Sequence, residues 1–307
     1  MNRPARVLAV GLAALTLALG ACAKSTGAKG SPSATPTGSF GVTKDATIAA
    51  EVPAAIASTG TLKVASDASY APDEFFDTDN KTIIGVDIDL MNAIAGVLGL
   101  KATYSNQTFN GIITSLAAGR FDVSISSFTD NKDREKTVDF VDYFQAGASI
   151  FVKSDSTETF ATLDQLCGKA VSVEKGTTEL DDATAASAKC VKDGKSKITV
   201  LSFDDQNQTN LAVISGRAVA SLADSQVAAY QVKQTNGQVK VTGDYLAPAP
   251  YGIAIPRPSG AAPGTGPLTK PIFDALKKLI DSGIYKQILD KWGVAAGALS
   301  APKINGA

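Results

Sequence analysis

A polar segment at residues 126–134 carries the groups that would hold a carboxylate. It follows the alternating stretch 121–125, which reads as a strand, and an α/β sheet presents its ligand groups where strands end. Arg134 could grip a planar carboxylate bidentately, while backbone N–H groups and the hydroxyls of Ser127 and Thr129 satisfy the remaining lone pairs. Taken alone, the segment fits a solvated surface loop better, because charge runs are common on surfaces.

Other positions supply complementary groups. Thr177 and Thr178 follow a glycine at a predicted helix start, where N–H groups and the helix dipole favour an anion. Asp224 ends a predicted strand and could pair with an ammonium group. An ordinary helix cap explains either feature equally well. Tyr70 and Phe109 could enclose an aliphatic stem, although aromatic residues are more often core. Together these groups match an α-amino acid, whose buried charges must both be paired.

The elements that would position these residues alternate between strand and helix, which predicts α/β architecture with mainly parallel sheets flanked by helices. The motif Gly-Arg joins a helix to a strand twice, at Gly119 and Gly216, so two similar lobes with a ligand cleft between them are expected. The runs 147–152 and 251–255 suit hinge strands, and the tail after Gly293 is expected to fray. Predicted strands lie at 61–66, 102–104, 123–127, 171–173, 198–201 and 219–222, and predicted helices at 48–58, 87–98, 111–118, 207–215, 225–232 and 269–292, the last interrupted at 282–283.

Composition excludes several function classes. The chain has no histidine, which rules out Ser-His-Asp and Cys-His catalysis and the commonest zinc sites. Its net charge is −1 and it has no basic patch, so no nucleic-acid partner is expected. No cofactor or metal is expected either. About 260 residues remain after the N-terminal segments, a length that suits two lobes.

The N-terminus reads as an export signal. Arg3 and Arg6 precede an apolar stretch too short to span a membrane, and Leu-Gly-Ala-Cys at 19–22 resembles the lipobox of bacterial lipoproteins. An ordinary signal peptide with a chance cysteine is the alternative. The expectation is a lipoprotein signal peptide at 1–21, then a flexible tether at 22–44 that begins with lipidated Cys22 and holds the protein on the outer face of the cell membrane.

Two cysteines remain in the exported part of the chain, Cys167 and Cys190. We expect them to form a disulfide, because disulfides persist outside the cytoplasm. Closing a loop of about two dozen residues would contribute about 3 kcal/mol. Two buried free thiols are the alternative.

A series of motifs spans residues 58–293 in a fixed order. It resembles the solute-binding proteins of polar amino-acid ABC importers, the bacterial extracellular solute-binding proteins of family 3. The resemblance implies a two-lobed type II periplasmic-binding fold, a monomer, and an importer permease as partner. The motifs are Gly60-Thr-Leu-Lys-Val, Tyr70-Ala-Pro-Asp-Glu-Phe, Gly85-Val-Asp-Ile-Asp-Leu, Phe109-Asn-Gly-Ile-Ile, Gly119-Arg-Phe-Asp-Val, Ser127-Phe-Thr, Arg134, Val138-Asp-Phe, Gly176-Thr-Thr, Gly216-Arg, Asp224 and Lys291-Trp-Gly.

The resemblance also implies roles for residues at the matching positions. Asp224 would accept the ligand's ammonium, and Asp67 would touch the far end of its side chain. One departure from the family pattern is Asp73 before Glu74, which we expect to place extra acid near the pocket mouth. The carboxylate would be held by Ser127, Thr129, Arg134 and the amides of Thr177 and Thr178, and the side chain by Asp67, Tyr70, Phe109 and Glu74.

The predicted function is capture of an amino acid by closure of two lobes, at 45–152 with 248–307 and at 153–247. Acid around the site favours a polar ligand with a basic or amide side chain, although Lys175 could reach in for an acidic one. One alternative is a cyclic amino-acid dehydratase on the same fold, using Asp73, Glu74 or Glu174. The other is a receptor lobe that signals without transport.

Overall fold

A computed structural model describes residues 40–307, so the predicted signal peptide, Cys22 and most of the predicted tether lie outside the described residues. The helices are α1 (Ala46–Ala49), α2 (Ala54–Ala57), α3 (Val86–Leu98), α4 (Phe109–Ala117), α5 (Thr178–Lys192), α6 (Gln206–Ile214), α7 (Ser225–Gln234), α8 (Thr269–Asp281) and α9 (Ile284–Trp292). The strands are β1 (Thr61–Ser66), β2 (Ser69–Tyr70), β3 (Glu74–Phe76), β4 (Ile83–Ile84), β5 (Lys101–Asn106), β6 (Val123–Ser124), β7 (Val138–Lys153), β8 (Ala170–Glu174), β9 (Thr199–Phe203), β10 (Ala220–Asp224), β11 (Val239–Pro256) and β12 (Ala298–Ile304).

Two parallel groups of strands are joined through one long antiparallel pair. The sheet order is β5-β1-β6-β11-β7-β10-β8-β9, with β12 added on β7. Strands β5, β1 and β6 are parallel to one another, as are β10, β8 and β9. We call the part built on β5-β1-β6 the first lobe and the part built on β10-β8-β9 the second lobe. This arrangement confirms the predicted α/β fold with a mainly parallel sheet in each lobe.

Local sequence signals explain most element boundaries. Strand β1 has the predicted bounds, and α3 ends at Gly99, whose φ of 70° is the left-handed conformation that glycine adopts without strain. The break between α8 and α9 falls at Ser282–Gly283, as predicted. The single leading helix predicted at 48–58 is instead two short helices. Pro53 separates them, because proline cannot donate the hydrogen bond that would continue the first one.

The C-terminal tail corrects a prediction. Rather than fraying, it forms β12, which pairs antiparallel with β7 and sets Ile304 opposite Val141. Asn305 then fixes the end of the chain to β7. Its Oδ1 accepts from the Phe140 N–H at 2.7 Å, and its backbone N–H donates to the Phe140 carbonyl at 3.1 Å. The tail therefore covers the edge of the first half of β7, whereas β10 covers the same edge of the second half.

Among the described residues, buried apolar side chains form three clusters, one in the first lobe, one in the second lobe and one with residues of both, and the second-lobe cluster contains the predicted disulfide. Cys190 is 1% exposed at the end of α5 and is bonded to Cys167, with a Cα–Cα distance of 5.6 Å. Within residues 40–307, no helix is both long enough and apolar enough to cross a bilayer.

Candidate functional site

The two lobes meet around a small polar cavity. The segment after β6 and the start of α4 reach it from the first lobe, and the start of α5 and the end of β10 reach it from the second. Its volume is ≈ 10 Å³, about the room of one water molecule, so the lobes must separate to admit anything larger. Its lining residues are Tyr70, Phe109, Ser127, Thr129, Arg134, Thr177, Thr178, Glu179 and Asp224. Sequence reasoning had selected every one of them except Glu179.

Arg134 lies across the boundary between the lobes. Its backbone N–H donates to Asn131 Oδ1 at 2.9 Å, which fixes the short 3-10 turn that carries it. The guanidinium donates to the carbonyl of Thr129 at 2.8 Å and to that of Gly176 in the second lobe at 2.9 Å. It also lies over the Phe109 ring, 5.3 Å from its centroid. Burial lowers the pKa of Arg134 and the charge of Glu179 opposes that fall, so it remains a fixed cation.

Ser127 departs from the sequence expectation of free donors. Its φ of 49° is left-handed, an uncommon conformation for a residue with a side chain. Its N–H donates to Asp87 Oδ2 at 3.1 Å and its hydroxyl donates to Asp73 Oδ2 at 2.9 Å. The prediction that both groups point to a ligand carboxylate is therefore corrected. The hydroxyl keeps only its acceptor lone pairs for the cavity.

The start of α5 serves two purposes at once. Thr177 is the N-cap, since its hydroxyl accepts from the Leu180 N–H at 3.2 Å and donates to the Glu174 carbonyl at 2.9 Å. Thr178 and Glu179 open the helix beside the cavity. Gly176 lets the lobes approach closely, because a Cβ there would lie 2.8 Å from Cβ of Asn110. The helix cap and the cavity wall are thus the same residues.

Asp224 occupies the N-cap position of α7, but its side chain makes no capping hydrogen bond. The alternative interpretation as a helix cap therefore does not hold. Burial, and after it the charge of Glu179, raise the pKa of Asp224 well above its ordinary value, while the Tyr251 hydroxyl opposes the rise. The structure leaves this carboxyl facing the cavity.

Glu179 is the lining residue that sequence reasoning missed. It is 5% exposed, and no described residue bonds its Oε1. Burial raises its pKa and the charge of Arg134 lowers it. An acid in the first turn of a helix is ordinarily attributed to the helix dipole, so the only available signal was its place directly after Gly-Thr-Thr.

Two predicted ligand contacts lie outside the cavity wall. Asp67 accepts from Ser69 Oγ at 2.7 Å and from the Phe109 N–H at 2.9 Å, so it anchors the start of α4. Glu74 is fully buried and accepts from Ser126 Oγ at 2.8 Å, which leaves its predicted contact with a ligand side chain without support.

The positions of three other charged residues also differ from expectation. Asp73 is 2% exposed beneath Ser127 rather than at the pocket mouth. Lys175 points to the surface, where it pairs with Asp204 at 2.6 Å. Glu174, at the end of β8, is 1% exposed, and neither of its oxygens has a hydrogen-bond partner among the described residues. Burial and the charge of Asp67 raise the pKa of Glu174 to about 10.

Comparison with known proteins decides the family. Residues 62–295 match the model of the bacterial extracellular solute-binding proteins, family 3, and this range contains every lining residue of the cavity. The chain belongs to this family. The resemblance derived from the motifs is confirmed.

The relatives of this solute-binding protein are amino-acid-binding proteins. It is 38% identical over 259 residues to an arginine-binding protein of Corynebacterium glutamicum, covering 84% of this chain and 82% of the relative. It is 30% identical over 237 residues to a putative ABC transporter arginine-binding protein of Escherichia coli, covering 76% of this chain and 90% of the relative. Both of these relatives are binding proteins.

A solved structure gives the same result for the fold of this solute-binding protein. An ancestral arginine-binding protein bound to arginine matches it with a TM-score of 0.67 at 36% identity, covering 76% of this chain and 98% of that one. The type II periplasmic-binding fold expected from the sequence is confirmed.

Proposed function

We propose that this protein captures an amino acid with a cationic side chain, arginine in particular, by closing its lobes around it, and delivers it to an ABC importer. The observation that carries the proposal is the cavity itself. There, Arg134 of the first lobe faces Glu179 and Asp224 of the second. Each lobe contributes the charge that one end of a zwitterion requires.

The α-carboxylate and α-ammonium of the ligand engage opposite lobes. In this proposal Arg134 exchanges its bonds to the Thr129 and Gly176 carbonyls for a bidentate grip on the carboxylate. Asp224 then accepts from the ammonium. Because one ligand bridges both lobes, it favours the closed state over the open one by contacts that the open state lacks.

A charge count of the lining favours a cationic side chain. Arg134 contributes one positive charge, while Glu179 and Asp224 contribute two negative ones when a ligand cation favours their ionised forms. A zwitterion adds no net charge and leaves one carboxylate unmatched, at a desolvation cost that burial makes large. A guanidinium on the ligand side chain would neutralise the remainder. The relatives named above as arginine-binding proteins support the same choice.

Two acids just outside the cavity lining also support a cationic ligand side chain. Glu174 and Asp67 lie at the ends of β8 and β1, in opposite lobes, burial raises the pKa of both, and the charge of Asp67 raises that of Glu174 further. Two buried carboxyls without a cation are favourable only when protonated or when a positive group comes between them. We infer that they receive the far end of the ligand side chain.

Delivery requires the protein to stay near the permease outside the cell. We propose that signal peptide 1–21 is removed, that Cys22 is lipidated, and that the tether to residue 44 holds the protein at the membrane as a monomer. The lobes that close would be 45–152 with 248–307, and 153–247. Support comes from the lipobox-like sequence and from a family of extracellular proteins.

A thermal-shift screen of the common amino acids tests the proposal. A ligand at one hundred times its Kd adds about 2.7 kcal/mol to the free energy of unfolding, so arginine should give the largest rise in Tm. A larger rise with glutamine would overturn the cationic side chain while retaining the amino-acid class. No rise with any amino acid would overturn the function.

A further inference from the structure

Asp73 is held in a fixed position behind the cavity. It lies in the turn between β2 and β3, where the Asp87 N–H at the start of α3 donates to its carbonyl at 3.0 Å. Gly85 makes this approach possible, since a Cβ there would lie 2.0 Å from the same carbonyl oxygen. Because its backbone is fixed by a helix N-terminus, the Asp73 side chain has little freedom.

The Asp73 carboxyl joins the two lobes. Its Oδ2 accepts from the Ser127 hydroxyl of the first lobe at 2.9 Å and from Gln226 Nε2 of the second lobe at 2.8 Å. Gln226 Nε2 also lies 3.1 Å from the hydroxyl of Tyr251, which in turn interacts with Asp224. A chain of contacts therefore runs from Ser127 to Asp224, which line the cavity from opposite lobes.

This chain differs from the interlobe contact of Arg134. Arg134 also crosses the boundary, to the Gly176 carbonyl, but it does so inside the cavity, where a ligand competes for it. Asp73, Gln226 and Tyr251 do not line the cavity. A ligand bound in the cavity would not compete for their hydrogen bonds, so these contacts depend on lobe closure and not on the ligand.

We propose that Asp73, Gln226 and Tyr251 form an interlobe latch, in which Asp73 is a positioning residue that fixes Ser127 when Gln226 closes onto it. This inference rests on the proposed function for its ligand but not for its geometry. The latch contacts form when the lobes close, and none of them involves the ligand side chain. It should strengthen binding of every amino acid that the protein accepts by the same factor.

Two substitutions separate the latch from general packing. Gln226→Leu keeps the size of a half-exposed side chain and removes the donor. Asp73→Asn keeps an acceptor oxygen and resembles the neutral carboxyl. Burial and the charge of Asp87 favour that neutral form, because they raise the pKa of Asp73 to about 8. Gln234→Leu is the matched control, because Gln234 is exposed on the same helix and bonds only Gln231 of its own lobe.

The experiment measures the distance between nitroxide labels at Lys101→Cys and Lys192→Cys, exposed positions in the first and second lobes. Titration with L-arginine and L-glutamine follows on the unlabelled variants. We expect Gln226→Leu to shift the unliganded protein toward longer distances and to weaken both ligands equally, by about tenfold. Asp73→Asn and Gln234→Leu should stay within about twofold of the wild type at pH 7.

Unchanged distances in Gln226→Leu, or weakening of one ligand only, would overturn the latch. The distance measurement needs no ligand, so it judges the latch even if arginine fails to bind the wild type. That failure would instead overturn the proposed function.

Discussion

Asp139 and Glu179 are both buried carboxylates, one behind the first lobe and one at the cleft, and their surroundings are opposite. Asp139 is fully buried, and it accepts from Arg257 at 2.6 Å and from the N–H groups of Gly264 and Gly266 at 2.8 and 2.6 Å. Burial alone would raise its pKa, but these donors hold it below the ordinary value. Asp139 is satisfied within the fold.

Glu179 has weaker partners, since its Oε2 accepts from the Thr178 hydroxyl at the long distance of 3.3 Å. Its Oε1 has no hydrogen-bond partner among residues 40–307, and its nearest cation, Arg134, directs two of its donors to backbone carbonyls. Burial raises the pKa of Glu179, whereas the donors around Asp139 prevent that rise. The comparison teaches that burial of an acid is not itself a sign of function. A buried acid with an oxygen left without a hydrogen-bond partner at the junction of two movable lobes is such a sign, because a ligand can supply the missing donor.

The largest expected effect is a loss of stability when Asp139 loses its partner Arg257. Arg257→Ala leaves the Asp139 charge buried without its cation, which should lower the free energy of unfolding by about 3–5 kcal/mol. Urea unfolding followed by circular dichroism measures this loss. Ligand affinity of the folded variant should stay near the wild-type value, because Arg257 lies outside the cavity. If Arg257→Ala were stable but bound ligand poorly, Asp139 and Arg257 would belong to the binding site and not to the structural region.

The next largest effect is a loss of ligand affinity when a charged residue of the cavity is removed. Arg134→Ala and Asp224→Ala should each weaken arginine binding at least a hundredfold in calorimetric titration, since each leaves one end of the buried zwitterion unpaired. Lys175→Ala provides the control, because this lysine is next to the cleft loop in sequence but pairs with Asp204 at the surface. Near-native affinity in either cleft variant would exclude that residue from the site.

A smaller effect sharpens the role of Glu179. Glu179→Gln should weaken arginine by about tenfold and leave glutamine nearly unchanged, because only the cationic side chain needs the carboxylate. The unliganded variant should also melt at a higher temperature, since it no longer buries an ionisable group without a full set of partners. Equal loss for arginine and glutamine would instead indicate that Glu179 contacts the ligand backbone.

The smallest effect concerns pH. Asp87 and Asp73, with pKa values raised by burial from 3.8 to about 6 and about 8, bind protons in the folded state that the unfolded chain has already released. Stability should therefore fall as pH rises from about 4 to 8. Differential scanning calorimetry without ligand should give a higher Tm at pH 5 than at pH 8. The opposite order would mean that these acids are ionised and satisfied, as Asp139 is.

The sequence predicted those parts of the fold and site that depend on local signals. Helix α3 and strand β1 follow from periodicity and flanking glycine, and Arg134 and Asp224 follow from polar residues placed after strands. Strand β12 could not be predicted in this way, because its pairing with β7 joins residues about 160 positions apart.

The errors inside the site have the same origin. Ser127 was predicted to offer free donors, but Asp73 from a distant turn and Asp87 from the start of α3 accept them. Whether a hydroxyl points to a ligand or to a buried acid depends on packing that no short motif encodes. Glu179 was missed because its first-turn position already has an ordinary explanation.

Titration calorimetry of the wild-type protein with L-arginine and with agmatine, which is arginine without its carboxylate, tests the central claim most directly. We expect saturable binding of one arginine per protein. Agmatine should bind at least a hundredfold more weakly, because Arg134 then has no anion to pair with. Equal affinity for the two compounds, or no binding of arginine, would contradict the claim that opposed charges of the two lobes hold a cationic amino acid.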